Sequence, residues 1–347
     1  MDAQDDELRF ETPEIKKKIR RLTALDNWHC LLYLAKDYLI IGSCITLCLK
    51  VSWWFYPLAW LVIGSRQRGL ANLLHSASHN TLARNRYWNL IAGTVLSGYL
   101  VGQKYVLYCY THVTQHHGHL GDPIHDPDFQ QHLAAGLYEK QTKAKFLWAY
   151  VVKALLGMKV PQYLRYVYRD RFMGQVPARY NNRIISHRTD TWLFTLIWVA
   201  LLAASLLFGV FHWLIVFWLV PLVTSSMIVG WFIEMAEHFP LVRESRDRLY
   251  MTRNRNGNRF ERFLTGVHHD NYHLEHHLNP NVPMWHLPKS QAVRLENPIY
   301  REWDEQWGGI FTKCDRKPTR KTFYQYIFSK EANMFQGPFT NEEALDG

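Results

Sequence analysis

The chain lacks the pieces from which small secreted folds and self-contained redox enzymes are made. Its five cysteines, Cys30, Cys44, Cys48, Cys109 and Cys314, form no CxxC pair and no regular framework, which excludes a disulfide scaffold. Cys44 and Cys48, one helical turn apart in an apolar stretch, read as small apolar residues. There is no His-Pro-Gly-Gly haem signature, no Rossmann glycine fingerprint and no ferredoxin-type cysteine set. Electrons for any redox reaction must therefore come from a separate protein. The N-terminus, Met-Asp-Ala-Gln-Asp-Asp, is acidic and has neither the positive start nor the apolar core of a secretory signal. The most telling absence lies further on: from Thr189 to Val242 there is no lysine or arginine.

That cation-free stretch has Asp190 at one end, Glu234 and Glu237 near the other, and a soft break around Gly209–His212. Its length suits two membrane spans joined by a short turn. Residues 31–49 are also apolar apart from Lys36 and Asp37, and Lys50 ends that run. A second apolar run goes from Val51 to Gly64 and continues as a helix through Arg66 and Arg68 to His79. Four spans in two hairpins are expected. A mean hydropathy of −0.23 means that the remainder is polar and extensive. The 14 Trp, 19 Tyr and 18 Phe suit rings at a membrane interface, although a large core uses them too.

The basic residues fall in the N-terminal segment, between the hairpins and after residue 242. Positive-inside bias then puts both termini and both polar segments in the cytoplasm, as a cap on a four-helix stem. Thr12-Pro13-Glu14 signals a helix start, and Lys16, Lys17, Lys18, Arg20 and Arg21 follow it as a solvated face or a contact for anionic headgroups. Residues 87–102 suit either the interface or the core of the cap. The net charge of +10 suits a membrane surface or an acidic partner, and a four-span protein is not expected to bind nucleic acid.

The 18 histidines are the outlier. They form an HxxxH at His75 and His79, an HxxxHH at His112, His116 and His117, and an HxxHH at His273, His276 and His277. His238 ends the fourth expected span, with Glu234 one turn before it. Helical residues three or four apart share a face, so each group aims at least two imidazoles one way. All of them fall on the same side of the expected membrane. Imidazole suits iron, zinc, copper and nickel, and nine ligands exceed what one ion takes, so two metal ions are expected.

The order HxxxH, HxxxHH, HxxHH, set around two pairs of spans, resembles the membrane fatty acid desaturase and hydroxylase superfamily over roughly residues 30–290. Asp126-Pro127-Asp128 after the second box, and Asn271 to His277 with Pro280 and Pro283 after it, extend the likeness. The resemblance implies an all-α integral membrane fold of four transmembrane helices with a helical cytoplasmic cap. It divides the chain into an N-terminal segment 1–30, a di-iron domain 31–290 and a tail 291–347 packed on the cap. It implies that His75, His79, His112, His116, His117, His238, His273, His276 and His277 hold two iron ions. Glu234 stands where relatives carry Asn, a departure that makes it a candidate ligand, orienting group or water holder. Asp122, Asp126, Asp128, Asp270 and Glu275 are candidates to fix imidazole tautomers. Glu237 ranks below Glu234 because it adjoins His238 and is expected to point elsewhere.

The implied reaction is O2-dependent desaturation of an aliphatic chain, fatty acyl or lipid-like. Electrons come from an external carrier of ferredoxin or cytochrome b5 type. Hydroxylation, ketolation, acetylene formation and alkene-forming decarboxylation remain as relatives' alternatives, on lipids or on specialised metabolites. The first box, HSASH, differs from the HDxxH-like forms of common acyl-lipid desaturases. Outside the family, a zinc-dependent membrane hydrolase would need one tight metal site, and a metal transporter would need ligands inside the spans.

Overall fold

The first helix, α1 (Pro13–Arg21), starts on its expected signal: the Thr12 hydroxyl accepts from the Ile15 amide at 3.3 Å and Pro13 fills the first turn. It buries Ile15 and Ile19 on one face and exposes Lys16, Lys17 and Arg20 on the other. The computed structural model describes residues 11–314 and 320–329. Among them the regular structure is helical, apart from one isolated bridge between Trp307 and Lys321. The chain divides into two compact units, the first of residues 26–137 and 144–231, the second of 1–25, 138–143 and 232–347.

In the first unit, α2 (His29–Lys50) and α3 (Tyr56–Ser78) form a hairpin. After it come α4 (Arg86–Gly93), α5 (Tyr105–Tyr108), α6 (Pro127–Ala134) and α7 (His187–Leu207). Among the described residues, three helical stretches are long and apolar enough to cross a bilayer: α2, α7, and the run Phe211–Glu244. Large apolar side chains such as Leu39, Leu196, Val199 and Leu207 stand exposed on α2 and α7. Water would make that surface a liability, whereas hydrocarbon solvates it. The break after α7 falls at Gly209, whose φ of +67° is the left-handed conformation that glycine reverses a chain with.

Helix α3 is long enough to span but is interrupted by Arg66, Gln67 and Arg68. The cause is its position, since nearly every residue from Val62 to Ser78 is buried. Arg66 is 2% exposed and pairs at 3.7 Å with the fully buried Asp37 of α2. Gly64 permits a close crossing: a Cβ there would meet the Ser225 hydroxyl at 2.2 Å.

Residues 87–102 bury one side and leave Tyr87 and Ile91 exposed. Asn89, Ala92, Gly93 and Tyr99 are buried, and the Asn89 side chain bonds Leu82, Ala83 and Ala77 main chain at 2.9–3.2 Å. The fully buried Asp190, in the first turn of α7, accepts from the Tyr99 hydroxyl at 2.5 Å and from the Val106 amide at 2.9 Å. That carboxylate satisfies an orphan amide at the start of α5 and so fixes the helix that carries the second histidine box.

The second unit contains the end of α8 (Ser225–His238), then α9 (His273–Leu278), α10 (Leu287–Arg294) and α11 (Pro298–Glu305). Leu249, Leu274, Leu278 and Tyr300 form a core beneath α9.

Candidate metal centre

In the first unit, His75 lies in the last turn of α3 and His79 caps it. Their rings are 5.2 Å apart, and His75 is 4.4 Å from His112 between centroids. From Cys109 to His116 the chain is a π-helix. The His117 amide accordingly donates to His112 oxygen, five residues back, at 2.9 Å. In an α-helix, residues five apart point about 140° away from each other. The wider π turn brings them onto one face. His112 and His117 therefore form the close pair, Nε2 to Nε2 at 3.1 Å, although α-helical spacing favours His112 with His116. Ligand atoms of His75, His79, His112 and His117 all lie within 4.8 Å of one another.

His116 turns toward acids instead. Its Nδ1 is 2.9 Å from Asp126 and 3.5 Å from Asp128. Asp126 is itself fixed: it caps α6 through the Asp128 and Phe129 amides and accepts from the Gly121 amide at 2.9 Å. With Nδ1 so engaged, Nε2 of His116 presents its lone pair. Replacing Asp126 with Asn keeps the helix cap but removes the charge behind His116. Metal affinity, measured by chelator competition, is expected to fall about tenfold or more at unchanged melting temperature. Asp122, grouped with Asp126 by sequence, instead holds the exposed His125 at 3.0 Å. His132, which sequence reasoning passed over, is buried near Asp126 and Asp128. Burial pushes its pKa down to about 4 against the pull of those carboxylates.

In the second unit, His273 sits between two partners, 2.9 Å from His238 and 3.0 Å from His277, Nε2 to Nε2. His273 and His277 share a face of α9 as residues four apart. His276 is buried on the same helix, its ring 5.5 Å from that of His277. His238 Nδ1 faces the Met251 carbonyl at 3.3 Å. His273 Nδ1 is 3.4 Å from Glu237, which accepts from Arg255 at 3.0 Å; Arg255 also donates to Asp270 at 2.7 Å. The carboxylate meeting an imidazole is thus Glu237, which sequence reasoning ranked second. Glu234 is half-buried one turn before His238. Glu275 is fully buried, accepting from Ser290 and Arg294 at 2.5 Å and from the Tyr300 hydroxyl.

The donor geometry suits a metal ion. Two imidazole nitrogens about 2.1 Å from one ion, at right angles, stand about 3.0 Å apart. The three close pairs are at 2.9, 3.0 and 3.1 Å. Two of the rings are also held toward the neutral form. Burial, then the neighbouring His116, pushes His79 down to about 3, and burial with its His neighbours takes His112 well below its ordinary range. Neutral imidazoles keep the lone pairs a cation needs.

Long apolar helices with grouped imidazoles define a histidine-box membrane protein. The fatty acid desaturase family model matches residues 52–303, and the chain belongs to that family, as an enzyme of the desaturase type. A dihydrorhizobitoxine desaturase of Bradyrhizobium elkanii is 40% identical over 300 residues, which is 86% of this chain and 84% of the relative. A temperature-sensitive sn-2 acyl-lipid omega-3 desaturase (ferredoxin), chloroplastic, of Arabidopsis thaliana is 24% identical over 84% of this chain and 69% of its own length. A beta-carotene ketolase of Paracoccus sp. (strain PC1) is 34% identical over 79 residues, 23% of this chain and 32% of the relative.

Proposed function

We propose that this protein is an O2-dependent di-iron desaturase in which His75, His79, His112, His116, His117, His238, His273, His276 and His277 hold two iron ions, with Glu234 as a further carboxylate of the centre. The observation that carries the reading is the 2.9–3.1 Å approach of imidazole nitrogens within the second box, and separately among His238, His273 and His277, in a chain of the desaturase family. Iron, when bound, would supply the activation of dioxygen and the removal of hydrogen from an unactivated carbon chain. The protein's own part is to hold ring tautomers through Asp126, Glu237 and the Met251 carbonyl, and to position one carbon. The substrate loses two hydrogens and gains a double bond. Dioxygen leaves as two waters, taking up those hydrogens with two electrons and two protons. The electrons come from a separate carrier of ferredoxin or cytochrome b5 type. The plant relative's name, which includes ferredoxin, favours the first.

The topology that goes with this reading has α3 as a fourth span, two hairpins, and both termini and the iron centre in the cytoplasm. The di-iron domain covers residues 31–290, flanked by cytoplasmic segments. The substrate is an aliphatic chain, fatty acyl or lipid-like. A second substrate reading, dihydrorhizobitoxine or a molecule like it, is favoured by the relative that matches most of both chains at 40% identity.

The test is anaerobic purification with metal analysis, then mass spectrometry of products made in a host supplying the electron carrier. About two irons per chain and oxygen uptake on reduction are expected, with a product lighter by two hydrogens. A product heavier by one oxygen means hydroxylation. One zinc per chain and no iron-dependent turnover would sink the proposal.

A further inference from the structure

Two of the cavities in the first unit differ in chemistry. One, of about 460 Å³, is walled by aromatic and aliphatic side chains such as Ile45, Trp198, Phe208, Trp213 and Phe217. It lies near the start of α3, since Phe217 packs with Ala59 and Ile63, whereas the histidines His75 and His79 are at that helix's other end. The other, of about 390 Å³, adjoins the histidines. Ser78, beside His79, and Val113, beside His112, line it together with Cys109. Both volumes are in the range that holds a small molecule.

The second cavity is made for a negative charge. Arg86 and Arg183 line it, and no carboxylate does. Asn80, Asn182, Tyr105 and Tyr180 supply amide and hydroxyl groups. Arg86 is steadied by the Tyr87 hydroxyl at 2.7 Å and lies 4.7 Å from that ring's centroid. The Asn182 carbonyl is taken by the Ile184 and Ile185 amides at 3.0 and 3.3 Å, which leaves its NH2 group as the part that can donate. Two guanidiniums among neutral donors match a carboxylate, which accepts in a plane at both oxygens. They match an alkyl tail poorly, because a methylene would strip water from charged groups and return nothing.

We propose that this cavity binds the carboxylate of a small substrate, with Arg86 and Arg183 as its counter-charges, and holds the substrate's chain beside the first and second histidine boxes. The proposal deepens the desaturase reading and rests on it for calling the ligand a substrate. This narrows the substrate from an aliphatic chain in general to a short water-soluble carboxylic acid, because the lining disfavours a lipid-held acyl chain.

The test is isothermal titration of the iron-loaded full chain in detergent with hexanoate, hexanol and octadecanoate. Hexanoate is expected to bind, more weakly as salt rises, and hexanol is not. In the double variant R86Q/R183Q hexanoate binding should weaken about tenfold or more, as loss of charge-assisted hydrogen bonds does. Both arginines are exposed, so iron content and melting temperature should be unchanged in that variant. Equal binding of hexanol, full hexanoate affinity in R86Q/R183Q, or binding of octadecanoate alone would overturn the proposal. An enzyme that desaturates but ignores hexanoate counts against the pocket alone. One that binds hexanoate through the arginines yet gives no desaturated product counts against the reaction.

Discussion

His273→Ala is expected to lose about one of two irons and about a thousandfold or more in turnover, because a bound metal supplies several kcal/mol of stabilisation to the reaction it assists. His273 is the middle member of its group. It stands 2.9 Å from His238 and 3.0 Å from His277, with Glu237 3.4 Å behind its other nitrogen. Removing it separates the two outer imidazoles and leaves Glu237 facing Arg255 alone. Iron per chain by elemental analysis, and turnover at saturating electron donor, check both parts. Full iron content with wild-type turnover would remove the third box from the centre.

Arg294→Met should give the largest loss of stability, about 3–5 kcal/mol, since it strands a buried charge rather than removing a pair. Arg294 is fully buried on α10 and reaches Glu275 at 2.5 Å and Glu11 at 2.7 Å. Glu275 lies between His273 and His276 in the chain, and Tyr300 and Ser290 also donate to it. Its burial, then Glu275, holds the Tyr300 hydroxyl well above its ordinary pKa, so that phenol stays a donor through the neutral range. Denaturant titration in detergent measures the loss. The double variant Glu275→Gln with Arg294→Met should recover part of it, because the fully buried Glu275 charge is then gone and only Glu11 is left without the arginine. A double variant as unstable as the single one would mean that packing, not charge, dominates at this site.

The spans and boxes were legible because both depend on local pattern. Length and apolarity mark α2, α7 and the run after Phe211, and spacing marks His75 with His79 and His273 with His277. What stayed hidden depends on contacts between distant residues or on departures from ideal geometry. No periodicity announces a π turn, so the partnership of His112 with His117 could not be read from the sequence. Asp122 and Asp126 look alike in sequence, yet only Asp126 reaches His116, because it closes the turn into α6. Glu237 seemed turned away as the neighbour of His238, but the third box packs where Glu237 points. Helix α3 reads as an interrupted span because its charged residues face protein.

The ion pair of Asp37 with Arg66 bears on how the chain is made. On the proposed topology, in which α3 also crosses the bilayer, either helix entering alone would carry a charge costing about 3 kcal/mol. Together, the Asp37 carboxylate and the Arg66 guanidinium offset each other as an ion pair at 3.7 Å. Since α2 leaves the ribosome before α3, the pair cannot form until Arg66 has been made. On that topology the unit of insertion would be the hairpin, and the interval of synthesis between Asp37 and Arg66 is the time before the ion pair can form.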